Sequence, residues 1–243
     1  MEITQGHLLG GRVRHDQPET GFRSGIEPVL LAATIPARPG ARVLEGGSGA
    51  GAGLLCLAAR VPGIEGVGIE QDATLARLAT TNAAANGYSG LRFQAGDVLA
   101  DALPAPVTHA FANPPYHAST GTAPTNPARR IAKRAAPGEL ARWVIALARP
   151  LARHGTFSMI VAVAALPEVL AAFGPARLGS TRVLPLWPHA GEPARLVLCQ
   201  GTKEGRGAFH LLAGLVLHEG GGGFTDAAQA VLRDGATLPM DPA

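Results

Sequence analysis

The residues Asn113-Pro114-Pro115-Tyr116 are the part of this chain whose types and spacing are best suited to chemistry. Adjacent prolines carry no backbone N–H and each ring fixes its φ, so the turn presents carbonyl acceptors without competing donors. That suits a substrate NH₂. An exocyclic amine on adenine, or a side-chain amide, is a poor nucleophile because its lone pair is delocalised into the neighbouring π system. The Asn113 side-chain oxygen and the Pro114 carbonyl can each accept one N–H, favouring a pyramidal nitrogen aimed at an electrophilic methyl group. Tyr116 can stack on the flat face of such a substrate. An Asn-Pro-Pro-Tyr turn after an apolar run has little structural reason to exist otherwise.

Upstream lies Glu45-Gly46-Gly47-Ser48-Gly49-Ala50-Gly51-Ala52-Gly53. Gly47, Gly49 and Gly51 lack the Cβ atoms that would block a ligand, and positive φ costs them little. Alone, the loop is ambiguous. Gly47-x-Gly49-x-x-Ala52 also satisfies the dinucleotide fingerprint, and Glu70 stands near the place of a ribose-binding acid, so a nicotinamide- or flavin-dependent oxidoreductase is a rival reading. Three features favour methyl transfer: Glu45 before the glycines, Asp97 just past a third strand, and the Asn-Pro-Pro-Tyr turn past a fourth. Strand carboxyl ends converge on one crevice in an open α/β sheet, so Glu45, Glu70, Asp97 and Asn113 can share a pocket. The plainer alternatives are a turn role for Asp97 and a packing role for Tyr116. Gly46 and Gly53 read as turn and helix-packing residues, and Trp143 and Trp187 as packing.

The elements that must position these groups alternate between apolar runs and helical patterns, which indicates a mostly parallel sheet covered on both faces. Strands are expected over 41–45, 66–70, 91–95, 107–112 and 156–163, with helices over 53–60, 73–86, 140–153 and 166–173. Gly87 stops the second helix. Two further strands, 182–186 and 195–200, are joined by a loop too short for a helical crossover, so the sheet closes antiparallel. Residues 210–218 read as an extra strand, followed by a glycine turn and a last helix capped by Thr225.

At 243 residues the length fits one α/β domain spanning 1–243, with a small C-terminal appendage over 208–243. The apolar fraction of 47% and charged fraction of 16% are those of a globular protein, and no stretch is long and apolar enough to span a bilayer. No basic region followed by an apolar core opens the chain, so a cytoplasmic location is expected, with no membrane partner. Cys56 and Cys199 stand far apart in apolar segments and read as reduced core thiols, while the dispersed histidines give no ligand spacing and no metal is expected. Net charge is +3. Its one concentration, Arg129, Arg130, Lys133 and Arg134, follows the Asn-Pro-Pro-Tyr turn and reads either as a solvated helical face or as an RNA-binding patch.

With these residues in view, the chain resembles a class I S-adenosylmethionine-dependent methyltransferase of the Asn-Pro-Pro-Tyr type, and within that class the bacterial tRNA1(Val) N6-adenine methyltransferase family. The similarity rests on Gly10-Gly11-Arg12-Val13, on Gln17, and on the run from Gly21 through Phe22, Arg23, Ser24 and Glu27-Pro28 to Ala32. Leu215-Val216-Leu217-His218-Glu219 and Phe224-Thr225-Asp226 in the tail are similar as well. His117 departs from the family, which often has Phe there. The resemblance implies a Rossmann-like fold: a seven-stranded, mostly parallel sheet with a reversed last strand, helices on both faces, and residues 1–32 as a lead-in covering the cofactor site. It implies S-adenosyl-L-methionine as cofactor, with Glu45, Gly47, Gly49 and Gly51 around its methionine part. Glu70 would hold the ribose hydroxyls, Asp97 the adenine amine, and Arg23 and Ser24 the carboxylate end. Asn113, Pro114, Pro115 and Tyr116 would be catalytic, and the acceptor would be a tRNA or other structured RNA. Release-factor glutamine methyltransferases carry the same tetrapeptide, so a protein glutamine is an alternative acceptor, although their N-terminal helical domain has no counterpart here. A non-catalytic RNA-binding module is a third reading.

Overall fold

The computed structural model describes residues 2–20, 23–114 and 136–241. The lead-in folds as two nested antiparallel pairs: β1 (Ile3–Thr4) with β4 (Gln17–Pro18), and inside them β2 (His7–Leu8) with β3 (Val13–Arg14). A short helix, α1 (Glu27–Ala33), follows with proline in its first turn, where the missing N–H is not needed.

The central sheet begins with β5 (Arg42–Gly46), whose residues after Arg42 are all buried, as a strand covered on both faces requires. Then come α2 (Ala52–Arg60), β6 (Glu65–Glu70), α3 (Ala73–Ala85), β7 (Leu91–Ala95) and β8 (Val107–Ala112). The Asp72 side chain caps α3 by accepting from the Thr74 and Leu75 amides at 2.7 and 3.3 Å. Beyond residue 136 the chain forms α4 (Glu139–Ala148), β9 (Leu151–Ala162), α5 (Leu166–Phe173), β10 (Leu178–His189) and β11 (Leu196–Lys203). The tail adds β12 (His210–Leu211), β13 (Leu215–His218) and α6 (Asp226–Leu232), the last capped by Thr225.

The strand order is β12-β10-β11-β9-β8-β5-β6-β7, with β13 also on β10. Strands β5 to β9 pair in parallel, and β11 enters between β9 and β10 antiparallel to both. The expected seven-stranded sheet with a reversed last strand is therefore present, and the tail extends it to nine strands. Helices α1, α2 and α6 cover one face around Leu30, Leu54, Leu55 and Val231, while α4 and α5 cover the other around Val144, Leu147 and Phe173.

Several boundaries depart from the sequence pattern. The helix expected to reach 153 stops at Ala148, where Lys203 Nζ donates to the Ala148 and Ala176 carbonyls, both at 2.9 Å, and Pro150 follows. Strand β9 starts five residues before the expected 156 because it carries a bulge: His154 has φ +64°, and a Cβ at Gly155 would meet the Thr108 carbonyl at 2.7 Å. Strand β10 extends well beyond 182–186, past a second irregularity at Ser180 and through Pro185 and Pro188. The single tail strand expected over 210–218 is broken in two at Gly214 (φ +91°), whose missing Cβ leaves room for the Trp187 ring.

Candidate active site

The strand order reverses between β5 and β8, where an open α/β sheet leaves a crevice at its carboxyl edge. Gly46, the last residue of β5, is the register partner of both Ile69 on β6 and Ala112 on β8. Ala112 precedes Asn113, so the half-buried Asn113 and buried Pro114 leave the sheet directly beside the start of the glycine loop. Glu70 pairs with Ala95, which brings the Gly96-Asp97 turn to the same edge. Glu45, Glu70, Asp97 and Asn113 thus meet at one rim. Pro115, Tyr116, Arg129, Arg130, Lys133 and Arg134, and with them His117, lie outside the described residues.

The glycine loop is wired by carboxylates. Glu45 Oε2 accepts from the Leu54 amide at 3.0 Å in the first turn of α2. Glu70 accepts from the Gly49 amide at 2.8 Å and the Asp72 amide at 2.9 Å, one per oxygen, which leaves lone pairs on each for hydroxyl donors. Asp97 Oδ1 accepts from the Leu99 amide at 2.8 Å and its own amide donates to Asp101 at 2.6 Å, so it does shape a turn. Its Oδ2 has no partner among the described residues.

The loop glycines differ in what they make possible. A Cβ at Gly47 (φ +66°) would stand 2.9 Å from Trp143, and one at Gly51 (φ +93°) would meet Phe93 at 3.0 Å and Ala79 at 3.2 Å. Packing, rather than a ligand's approach, is the steric reason for both. Gly49 (φ +54°) has nothing within 4 Å and borders open space. Beside it, the buried Ser48 hydroxyl has no partner among the described residues.

Glu45 is 3% exposed. Burial pushes its carboxyl up to about 8, against the Leu54 hydrogen bond and helped by the charge of Glu70. No cation stands beside it among the described residues. Arg23, in contrast, is exposed and spends its guanidinium on Thr4 Oγ1 and the Pro18 carbonyl, both at 3.3 Å. Ser24 donates its amide to Gln17 Oε1 at 2.8 Å. The structure uses both to close the lead-in.

The sequence reading overlooked Asn82. Fully buried on α3, it accepts from the Asp16 amide at 3.0 Å and donates to the Asp16 carbonyl at 2.9 Å and the Ala50 carbonyl at 3.0 Å. One side chain therefore ties lead-in, helix and glycine loop together. One helical turn on, Asn86 repeats the device on the Arg14 amide and carbonyl at 2.9 and 2.7 Å. The signal was an Asn pair at i, i+4 in an otherwise small-residue helix. His15 was missed too: it is wholly buried, its ring nitrogens have no partners among the described residues, and burial lowers its pKa to about 4 despite the charge of Asp16.

Comparison with known proteins agrees with this geometry. The Methyltransferase small domain family matches residues 26–140. A protein of Aeromonas hydrophila subsp. hydrophila named tRNA1(Val) (adenine(37)-N6)-methyltransferase is 28% identical over 213 residues, 87% of this chain and 89% of its own. Among solved structures, a predicted O-methyltransferase from Agrobacterium tumefaciens superposes with a TM-score of 0.74 at 23% identity, covering 89% of this chain and 100% of that one. A SAM-dependent O-methyltransferase from Thermotoga maritima gives 0.56 at 17% identity over 78% of this chain and 69% of its own. Both structural likenesses speak to the fold.

Proposed function

We propose that this chain is a class I, S-adenosylmethionine-dependent methyltransferase that transfers a methyl group to the exocyclic N6 amine of an adenine in RNA, with a tRNA as acceptor. The observation that carries the reading is the register of Gly46 with Ala112, which sets the Asn113 turn beside the glycine loop. The Aeromonas relative, similar over nearly the whole chain, supports the choice of acceptor.

The site fits the cofactor. Open space at Gly49, the unpartnered Ser48 hydroxyl and a buried carboxyl at Glu45 with no cation beside it are what a positively charged nucleoside ligand would complete. Glu45 and the loop backbone hold its methionine part, Glu70 its ribose hydroxyls and Asp97 its adenine amine; the lead-in, fastened by Asn82, lies over it. When bound, S-adenosylmethionine supplies a methyl on a cationic sulfur that departs as a neutral thioether.

The protein's own contribution is positioning. Asn113 Oδ1 and the Pro114 carbonyl each accept one N–H of the target amine, turning its lone pair out of conjugation and toward the methyl. As the C–N bond forms, nitrogen becomes positive and these two acceptors stabilise it more than they did the neutral amine. The nitrogen then loses a proton to water. Tyr116 stacks on the extruded base, which costs least to unstack when it is unpaired in a loop. Arg129, Arg130, Lys133 and Arg134 contact the phosphates, and the protein acts in the cytoplasm where its substrate is.

Labelled S-adenosylmethionine, unmodified total tRNA and nucleoside mass spectrometry test this. N6-methyladenosine that disappears with Asn113→Ala is the expected result. Cofactor binding with no RNA product, and label instead on a glutamine-containing release-factor peptide, would overturn the acceptor.

A further inference from the structure

Three aromatic rings meet at the far margin of the same sheet edge. His189 ends β10 and His218 ends β13, and the two are register partners with ring centroids 5.6 Å apart and planes tilted by 42°. Phe224 returns antiparallel to His218 across a glycine turn and stacks on it, at 4.8 Å and 24°. His218 Nδ1 lies 3.2 Å from the Gly223 carbonyl, whereas the buried Nδ1 of His189 has no partner among the described residues. All three residues are half-buried.

The alternation of the strands explains why these rings stay partly open. Leu184 and Leu186 on β10, with Leu215 and Leu217 on β13, enter the core formed with α1, α2 and α6. Trp187, His189, Val216 and His218 therefore share the opposite face. Alongside runs Gly220-Gly221-Gly222-Gly223, where an added Cβ would find nothing within 4 Å at any position. A flat ligand can approach that backbone closely.

Direction makes this cluster part of the substrate edge. Strand β11 is antiparallel to both β9 and β10, and β13 is parallel to β10, so β10 and β13 run the same way as β8. Their carboxyl ends share an edge with Asn113. The path β8-β9-β11-β10-β13 crosses four strand spacings, about 19 Å at the usual inter-strand distance. Register carries Ala112 through Met159 and Cys199 to Val183, so His189 lies five residues, about 16 Å, beyond the level of Asn113, a separation of about 25 Å in all. A splayed single strand of a few nucleotides covers that span.

We propose that His189, His218 and Phe224 form a stacking site for a second, unpaired base of the RNA acceptor, a few nucleotides from the one that is methylated. This rests on the RNA reading above. Imidazole and phenyl faces accept any base, as single-strand RNA readers use them. Arg195, on the loop between β10 and β11, is 79% exposed on its side chain and only loosely paired with Glu192 at 3.9 Å, so it is available to a phosphate of the same strand.

The test is steady-state kinetics on full-length protein with tRNA as the varied substrate, comparing Phe224→Leu and His218→Gln with Phe224→Tyr. Leucine keeps the apolar packing and glutamine keeps a donor for the Gly223 carbonyl, but neither keeps a ring; tyrosine does. KM for tRNA should rise about tenfold in the first two, the size of one lost base stack, with kcat falling much less, cofactor affinity intact and Phe224→Tyr close to wild type. Equal KM in all proteins overturns the stacking site while leaving RNA methylation in place. So does an equal loss in Phe224→Leu and Phe224→Tyr. Wild-type protein that methylates a glutamine peptide and no RNA removes both readings together.

Discussion

The two halves of the sheet edge are built in opposite ways. On the side of β5, β6 and β7, each chemical group sits at a strand end and is held by a backbone amide only a few residues or one βα unit away: Glu45 by Leu54, Glu70 by Gly49 and Asp72, Asp97 by Leu99. On the side of β8 to β13, the groups come from distant parts of the chain, with β11 inserted between its predecessors and the tail strands laid on β10. In the function proposed above, the first half receives a ligand that never changes and the second a larger acceptor, and the pieces of the second are related only through long-range register.

Breaking the boundary between the halves should have the largest effect. Asn113 stands where β8 meets the glycine loop, and in the proposed reaction Asn113→Ala removes one of the two acceptors on the target amine. Turnover should fall about 10²- to 10³-fold, by analogy with loss of a single preorganised hydrogen-bonding group, while isothermal titration shows unchanged cofactor affinity. A variant that lost both together would mean that the two halves are not separable.

Next in size is Asn82, which fastens the lead-in to the cofactor half alone. Asn82→Ala leaves the Asp16 amide and carbonyl and the Ala50 carbonyl without their partner in a buried place, at a cost of about 1–3 kcal/mol for each such group left unsatisfied. Denaturant unfolding should register a loss of a few kcal/mol, and cofactor affinity should weaken more than KM for RNA. Gly51→Ala is expected to cost about 1–2 kcal/mol, because φ +93° is strained for alanine and the methyl would press on Phe93 and Ala79. Gly49→Ala, which faces open space at a similar backbone strain, should instead show its larger effect in cofactor affinity.

The same division decides how much could be read from the sequence. The cofactor half was legible because its signals are local: glycines with positive φ, an acid before them, and carboxylates that follow strand-like runs. Even there the reason for the glycines differed, since Trp143, 96 residues beyond Gly47, is what excludes its side chain. The other half hid its boundaries. The strand expected from 156 begins at Leu151, with the Thr108 carbonyl set against Gly155, and the one expected over 182–186 runs from Leu178 to His189. His189 and His218 carry no local signal at all; only the parallel register of β10 with β13 brings them together. The Asn82 bridge was invisible for the same reason, as its partners are 66 and 32 residues away.

The effect most specific to the cofactor half follows from Glu45. With its carboxyl near pH 8 in the folded protein against an ordinary 4.5, the folded state keeps a proton that the unfolded chain releases. Its contribution to stability is complete below about 4.5 and is lost as pH rises through 8. His15 and His109 act in the opposite sense: burial lowers both to about 4 from 6.5, so their contribution is complete above 6.5 and is lost as pH falls toward 4. The two trends overlap below 6.5, but between 6.5 and 8 only the Glu45 trend remains among them. In that window the Tm of the cofactor-free wild type should decline with pH relative to Glu45→Gln, which keeps an acceptor for the Leu54 amide and has no proton to lose. Adding S-adenosylmethionine should reverse the slope, because a bound cation favours the carboxylate: affinity should tighten from pH 7 to 9 in the wild type and stay flat in Glu45→Gln. Parallel Tm and affinity curves for the two proteins would show that Glu45 is ionised throughout and that the cofactor half is not proton-linked.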